Sequence, residues 1–97
     1  MSPYTLDEMR KMYLDMIRAY IDYWAIEPKK TCREKLEGLA FSILLIIDGE
    51  SALPAFSLTP IPHPGDRQYC IDNGERWWPS GIDIAGGLHE DFVKEDV

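Results

Sequence analysis

The side chains that could support chemistry are few, and their spacing does not match known reactive motifs. The histidines His63 and His89 and the thiol of Cys70 are the residue types that bind transition metals. Neither histidine belongs to an HExxH helix motif or has zinc-finger spacing. His63 lies between two prolines in a turn, and His89 begins a short C-terminal helix. We therefore predict no metal site and no cofactor.

A catalytic nucleophile would need a base and an orienting group beside it. Cys70, His89 and Asp83 are suitable types, and Ser51 follows a glutamate, but no G-x-S-x-G sequence is present. The pair Gly86-Gly87 lacks the Lys and Ser/Thr of a phosphate-binding P-loop. The sequence therefore predicts a protein that is not an enzyme, and a small hydrolase is the weakest of the alternatives.

The sequence Trp77-Trp78-Pro79 is the most informative feature of the C-terminal half. Adjacent side chains on an extended segment face opposite sides, so one ring can enter the core while the other points outward. Exposed tryptophans are over-represented at binding hot spots. We predict that Trp77, Trp78 and Pro79 bind a partner or ligand, together with His63 and His89. The alternative is that both rings simply pack under the proline-rich loop.

Length and charge limit the classes of protein that remain. The 97 residues suit one domain. The net charge is −7: residues 1–50 hold 7 basic and 9 acidic groups, and residues 51–97 hold 3 and 8. Such an acidic chain is not expected to bind a nucleic-acid backbone. Two cysteines and no recognisable signal peptide predict a cytoplasmic protein with reduced thiols.

Two helices are predicted to position these residues. A capping box, Thr5 with Glu8, begins an amphipathic helix over residues 5–24, and a second, Thr31 with Glu34, begins a helix over residues 31–48. The run from 39 to 47 could also be a buried strand, but the caps, the three- and four-residue spacing of its apolar side chains and the stop at Asp48-Gly49 favour a helix. It is shorter than the about 20 residues that span a bilayer, so no membrane association is expected.

The connection between the helices and the chain after residue 50 complete the predicted fold. The short connection through Pro28 predicts an antiparallel helical hairpin. Five prolines after position 50 predict an extended or irregular path over residues 50–87. Within it, residues 68–71 and 75–78 are predicted strands joined by a hairpin turn at Asp72-Asn73-Gly74. A short helix is predicted over residues 88–94. The expected fold is an α-rich α+β domain in which a proline-rich half with a small β-hairpin wraps the helical hairpin.

Several short motifs follow one another along the chain: KLEGLAFSIL (35–44), IDGES (47–51), Leu53-Pro54 with Phe56, Pro62-His63-Pro64 with Asp66, Gly74 with Trp77-Trp78-Pro79, and the sequences DIAG (83–86) and LHE (88–90). Their order resembles a family of small proteins of unknown function found in phage and prophage genomes. The resemblance covers most of the chain after residue 30. It implies a phage accessory or host-takeover factor and brings no catalytic residues with it.

These observations together predict a small, acidic, non-enzymatic interaction protein that binds a host protein. The all-round apolarity of residues 39–47 in so short a chain also predicts a homo-oligomer. The main alternative is a protein that sequesters a small molecule or a nucleotide signal in a pocket lined by aromatic and proline side chains.

Overall fold

The protein is described by a computed structural model covering residues 2–94. Four helices follow one another along the chain: α1 (Leu6–Ala25), α2 (Cys32–Asp48), α3 (Asp66–Asp72) and α4 (Leu88–Phe92). The first two lie within one residue of the bounds predicted from the sequence. α4 ends two residues before its predicted end.

Both predicted capping boxes are confirmed. The Thr5 hydroxyl accepts from the Glu8 amide at 3.2 Å, and the Glu8 carboxylate accepts from the Thr5 amide at 2.8 Å. Thr31 and Glu34 repeat the arrangement at 3.1 and 3.0 Å. Each box supplies acceptors for two amide donors at the helix start, those of the cap residue and the third helical residue. Each long helix therefore begins at the residue that its own sequence predicts.

α2 ends at the predicted Asp48-Gly49 stop. Gly49 has a φ of +83°, a left-handed conformation that glycine adopts without strain. Its amide donates to the Ile46 carbonyl at 3.2 Å, and the Glu50 amide donates to the Leu45 carbonyl at 2.9 Å. This Schellman arrangement satisfies the last carbonyls of the helix and turns the chain sharply away.

The two long helices form the predicted antiparallel hairpin, and one tryptophan joins them. Trp24, near the end of α1, donates its Nε1–H to the Ser42 hydroxyl at 3.0 Å, and that hydroxyl donates to the Gly38 carbonyl at 2.8 Å. A Cβ on Gly38 would lie 2.6 Å from the indole ring. The glycine therefore lets the indole lie directly against the backbone of α2.

The predicted small β-hairpin is wrong, and so is the α+β class. No strand occurs within residues 2–94, and the stretch predicted as the first strand lies inside helix α3. The Gln68 side chain donates to the Asp72 carboxylate at 2.8 Å across one helical turn. The supposed hairpin turn ends this helix instead: the Glu75 amide donates to the Cys70 carbonyl at 2.8 Å, and Gly74 has a φ of +66°. Asn-Gly suits both a hairpin turn and a helix end, so the sequence alone did not distinguish them.

The C-terminal half touches the hairpin only at intervals. The Phe56 amide donates to the Ile47 carbonyl at 2.9 Å, and the Phe56 ring meets the Tyr13 ring edge-on at 5.4 Å. Within the described residues, only Ser42 and Ile46 are buried. The radius of gyration is 17.6 Å, against about 12.5 Å for a compact domain of this length. The structure is therefore open, and much apolar surface faces solvent.

Candidate functional site

Four of the five predicted site residues come together in one cleft. Trp77, Trp78, Pro79 and His63 line an open depression of about 490 Å³. The other walls come from the proline-rich segment and the start of α3: Pro62, Pro64, Gly65, Arg67 and Ser80. We call this depression the tryptophan cleft.

Its shape follows from short local elements. Pro62 and Pro64 fix the backbone of the segment that enters α3, because the ring restricts φ and removes the amide donor. α3 then places Arg67 over the Trp77 ring, with the guanidinium carbon 5.6 Å from the ring centroid. The Schellman end of α3 returns the chain toward its own start, which brings the tryptophans beside the prolines.

Both tryptophans are accessible, which corrects the prediction that one ring enters the core. Trp77 is 43% exposed and Trp78 is 74% exposed. Residues 75–78, which were predicted as a strand, belong to no sheet, so there is no sheet face against which one of the two rings would be buried. Trp77 packs under Arg67, and Trp78 presents most of its surface to solvent.

His89, the fifth predicted site residue, lies elsewhere and has a different partner. Its Nδ1 is 2.6 Å from Oδ2 of Asp48, the last residue of α2. The same oxygen accepts from the His89 amide at 2.8 Å, and Oδ1 accepts from the Gly86 amide at 3.0 Å. The His89 ring also meets the Phe41 ring edge-on at 5.7 Å. Asp48 therefore acts as the N-terminal cap of α4, which has no side-chain cap of its own.

The electrostatics of Asp48 follow from this burial and bonding. Its side chain is 2% exposed. Burial by itself would raise the pKa of the carboxyl, but hydrogen bonds from the His89 amide and ring, with the Leu88 and Gly86 amides, outweigh it and lower the pKa to about 2. The carboxylate is thus ionised at neutral pH and only accepts, so Nδ1 of His89 carries the proton that lies between them.

A second carboxylate has a similar role. Oδ1 of Asp83 accepts from the Leu58 amide at 2.8 Å and from the Ala85 amide at 2.9 Å. The Leu58 and then the Ala85 hydrogen bond lower the pKa of Asp83. The Ile84 amide donates to the Leu58 carbonyl at 2.8 Å, so Leu58 lies beside Asp83 and Ile84 without forming a strand pair.

The residues considered for hydrolysis are not brought together. Asp83 bonds to backbone amides, His89 bonds to Asp48, and Cys70 lies on α3. In the hydrogen bonds of residues 2–94, no serine or cysteine side chain bonds to His89. The same residues include no group of three His, Cys, Asp or Glu side chains placed to hold a metal ion.

Sequence reasoning missed two features. The first is the role of Asp48, which was interpreted only as part of a helix stop. The macrodipole disfavours negative charge at the end of a helix, so an acid there was a signal that it has a partner elsewhere.

The second missed feature is an open cleft of about 740 Å³ between α2 and α4. It is lined by the aromatic rings of Trp24, Phe41 and Phe92, the charged Lys30, Arg33, Glu34 and Glu37, and Gly38 and Val93. No short motif marks it, because its walls come from three distant segments.

No family model, curated protein or solved structure matches this chain. The resemblance to small phage and prophage proteins therefore stays a prediction. Over the residues that the structure describes, none of the helices combines the length and apolarity needed to cross a bilayer.

Proposed function

We propose that this protein is a non-enzymatic interaction protein that binds an extended, proline-containing segment of a partner protein in the tryptophan cleft. The observation that carries the proposal is the exposure of two adjacent indoles, 43% and 74%, in one depression. Large rings on the surface bind protein partners more often than their abundance predicts, because each ring buries much area and loses little conformational freedom.

The chemistry of the lining favours such a segment. Proline-rich peptides dock as polyproline II helices between aromatic rings, and they lose little entropy because the conformation is already formed. Their free carbonyls accept hydrogen bonds. The Trp24 Nε1 donates to Ser42, whereas within residues 2–94 the Nε1 groups of Trp77 and Trp78 donate to no protein acceptor. Both indole donors are thus free to bind ligand carbonyls.

The negative charge of the C-terminal half favours a ligand with positively charged residues on either side of its prolines. Residues 51–97 carry a net charge of −5, from 3 basic and 8 acidic side chains. A peptide with lysines beside its prolines would associate faster than a neutral one, and this advantage would decrease with added salt.

A small-molecule ligand is the second candidate, and the cleft between α2 and α4 is the place for it. Its volume of about 740 Å³ lies within the range of small-molecule sites, and it combines three aromatic rings with charges of both signs. The tryptophan cleft is also open and, at about 490 Å³, is the smaller of the two.

The test uses a synthetic polyproline peptide with lysine flanks, and a peptide of equal length with alanine in place of proline. We expect the proline peptide alone to shift the tryptophan fluorescence and to saturate. Trp78→Ala should weaken binding by about 30-fold, which corresponds to about 2 kcal/mol. Because Trp78 makes few packing contacts, the unfolding free energy of the variant should differ from that of the parent protein by less than about 1 kcal/mol.

The matched control is Tyr69→Ala, which removes another exposed aromatic ring, 63% exposed, from α3. This control should bind the proline peptide like the parent protein. Equal binding of the two peptides, or equal loss in the two variants, would contradict the proposal.

A further inference from the structure

The structure exposes far more surface than a compact chain of this size. Its accessible surface is 8013 Å², whereas a compact monomer of the same mass exposes about 5,700 Å². The excess is therefore about 2,300 Å² per chain. Obligate homodimers bury about 1,000–2,500 Å² per partner. This excess, which is distributed over the whole chain, is large enough to include the interface of a stable dimer.

Part of this surface lies on the two long helices. Leu14 and Ile21 lie seven residues apart on α1 and are 43% and 45% exposed. Leu36 and Ile43 have the same spacing on α2; Leu36 is 68% exposed and Ile43 is partly buried. Seven residues are close to two helical turns, so each pair lies on one side of its helix. We call these four residues the open face.

The open face lies on the side of the hairpin away from α4. α4 packs on α2 through Phe41 and Asp48. At 100° per residue, Leu36 and Ile43 lie about 140° around the helix axis from those two residues. Leu14 and Ile21 lie about 70° around α1 from Trp24, and Leu36 and Ile43 lie about 110° around α2 from Ser42, the hydrogen-bond partner of Trp24, in the same rotational sense. In an antiparallel pair, the same rotational sense places both sets on one side of the hairpin. Neither α4 nor the tryptophan cleft competes for this surface.

We propose that two copies of this chain associate through their open faces to form a four-helix bundle. Helical hairpins pack in this way because each supplies two parallel ridges of apolar side chains to the other. A two-fold axis makes the same patch serve both partners.

The charges at the border of the face fit a second copy better than a partner of opposite charge. Asp15 accepts from both Lys11 and Arg18, and Arg33 donates to Glu37 at 2.8 Å. All five charges are paired within one chain and together sum to only +1. Two copies therefore bring little charge of one sign to the contact.

Sedimentation equilibrium and light scattering on the full chain test the proposal. The parent protein should have twice the mass of one chain at micromolar concentration, and its melting temperature should rise with concentration. Leu14→Glu with Ile21→Glu should halve the mass. The control, Ile61→Glu with Ile82→Glu, places the same charges on residues that are 92% and 56% exposed outside the helices, and it should leave the mass unchanged.

The glutamate variant would also be measured at half the mass if the substitutions unfolded the chain. A second variant therefore distinguishes unfolding from loss of the interface. Leu14→Lys with Ile21→Lys should also be monomeric, and mixing it with the glutamate variant should restore a dimer through opposite charges. Restoration supports the proposal, since two unfolded chains would not form a dimer of native helix content. A monomeric parent protein, equal dissociation of the control, or a mixture without dimers would overturn it.

Discussion

The helical hairpin and the C-terminal half are held by different kinds of hydrogen bond. In the hairpin, each long helix begins with a capping box whose partners are three residues apart. In the C-terminal half, Asp48 binds amides that are 38 and 41 residues away, and Asp83 binds the Leu58 amide 25 residues away. The helix starts of the first half are determined by neighbours in sequence, whereas two carboxylates join distant segments of the second half.

This difference has consequences for stability. A local cap stabilises one helix end and closes no loop, so its loss affects mainly one turn. A carboxylate that joins distant segments must offset the entropy of closing a long loop, and several contacts depend on it together. α4 and the Phe41–His89 contact both rest on the Asp48 carboxylate. We therefore expect the C-terminal half to unfold more readily than the hairpin.

Asp48→Ala tests this comparison most severely. The substitution leaves the Gly86 and His89 amides and the His89 ring without their acceptor, and we expect a loss of about 3 kcal/mol in unfolding free energy. Helix content should fall little, because α1 and α2 keep their own caps. Denaturant unfolding followed by circular dichroism measures both quantities.

The control for this variant is Glu50→Ala, two residues away and exposed, which should change the unfolding free energy by less than about 0.5 kcal/mol. Loss of most helical signal in Asp48→Ala would show that the two halves fold as one unit, and the comparison would fail.

Acid should weaken the same contact by a smaller amount. The pKa of Asp48 is about 2 in the folded protein, below its ordinary value of 3.8, so the ionised form stabilises the fold. This contribution is complete above about pH 4 and is lost as the pH falls toward 2, up to about 2 kcal/mol. The pH dependence of unfolding should therefore be shallower in Asp48→Asn over this range. Identical slopes in the two proteins would mean that Asp48 does not contribute.

Removing a local cap should have the smallest effect of the three. Thr31→Ala removes the hydroxyl that accepts from the Glu34 amide, and we expect a loss of about 1 kcal/mol. The loss should be confined to the first turn of α2, so hydrogen exchange should accelerate there and not in α4. A loss as large as that of Asp48→Ala would remove the distinction between local and distant contacts.

The candidate site was predictable from the sequence only where it depends on residue types close together in the chain, and not where it depends on distant contacts. The residue types of Trp77, Trp78, Pro79 and His63 predicted a binding surface, and the structure places these four residues in one cleft, where their role in binding stays a prediction. Arg67 was missed because its position over Trp77 depends on α3, which the sequence reading replaced with a strand. His89 was assigned to binding because a lone histidine gives no sign of its partner, and Asp48 lies 41 residues earlier.

The sequence by itself determined the hairpin: the caps at Thr5 and Thr31, the stop at Gly49 and the short connection between the helices. Each of these signals acts over a few residues, so the nearby chain contains all the information. Only the tertiary structure decided the rest. Asn73-Gly74 ends a helix instead of turning a hairpin, and Asp48 caps a helix that begins forty residues later. Such outcomes depend on which distant groups meet, and the physical preferences of single residues are compatible with more than one answer.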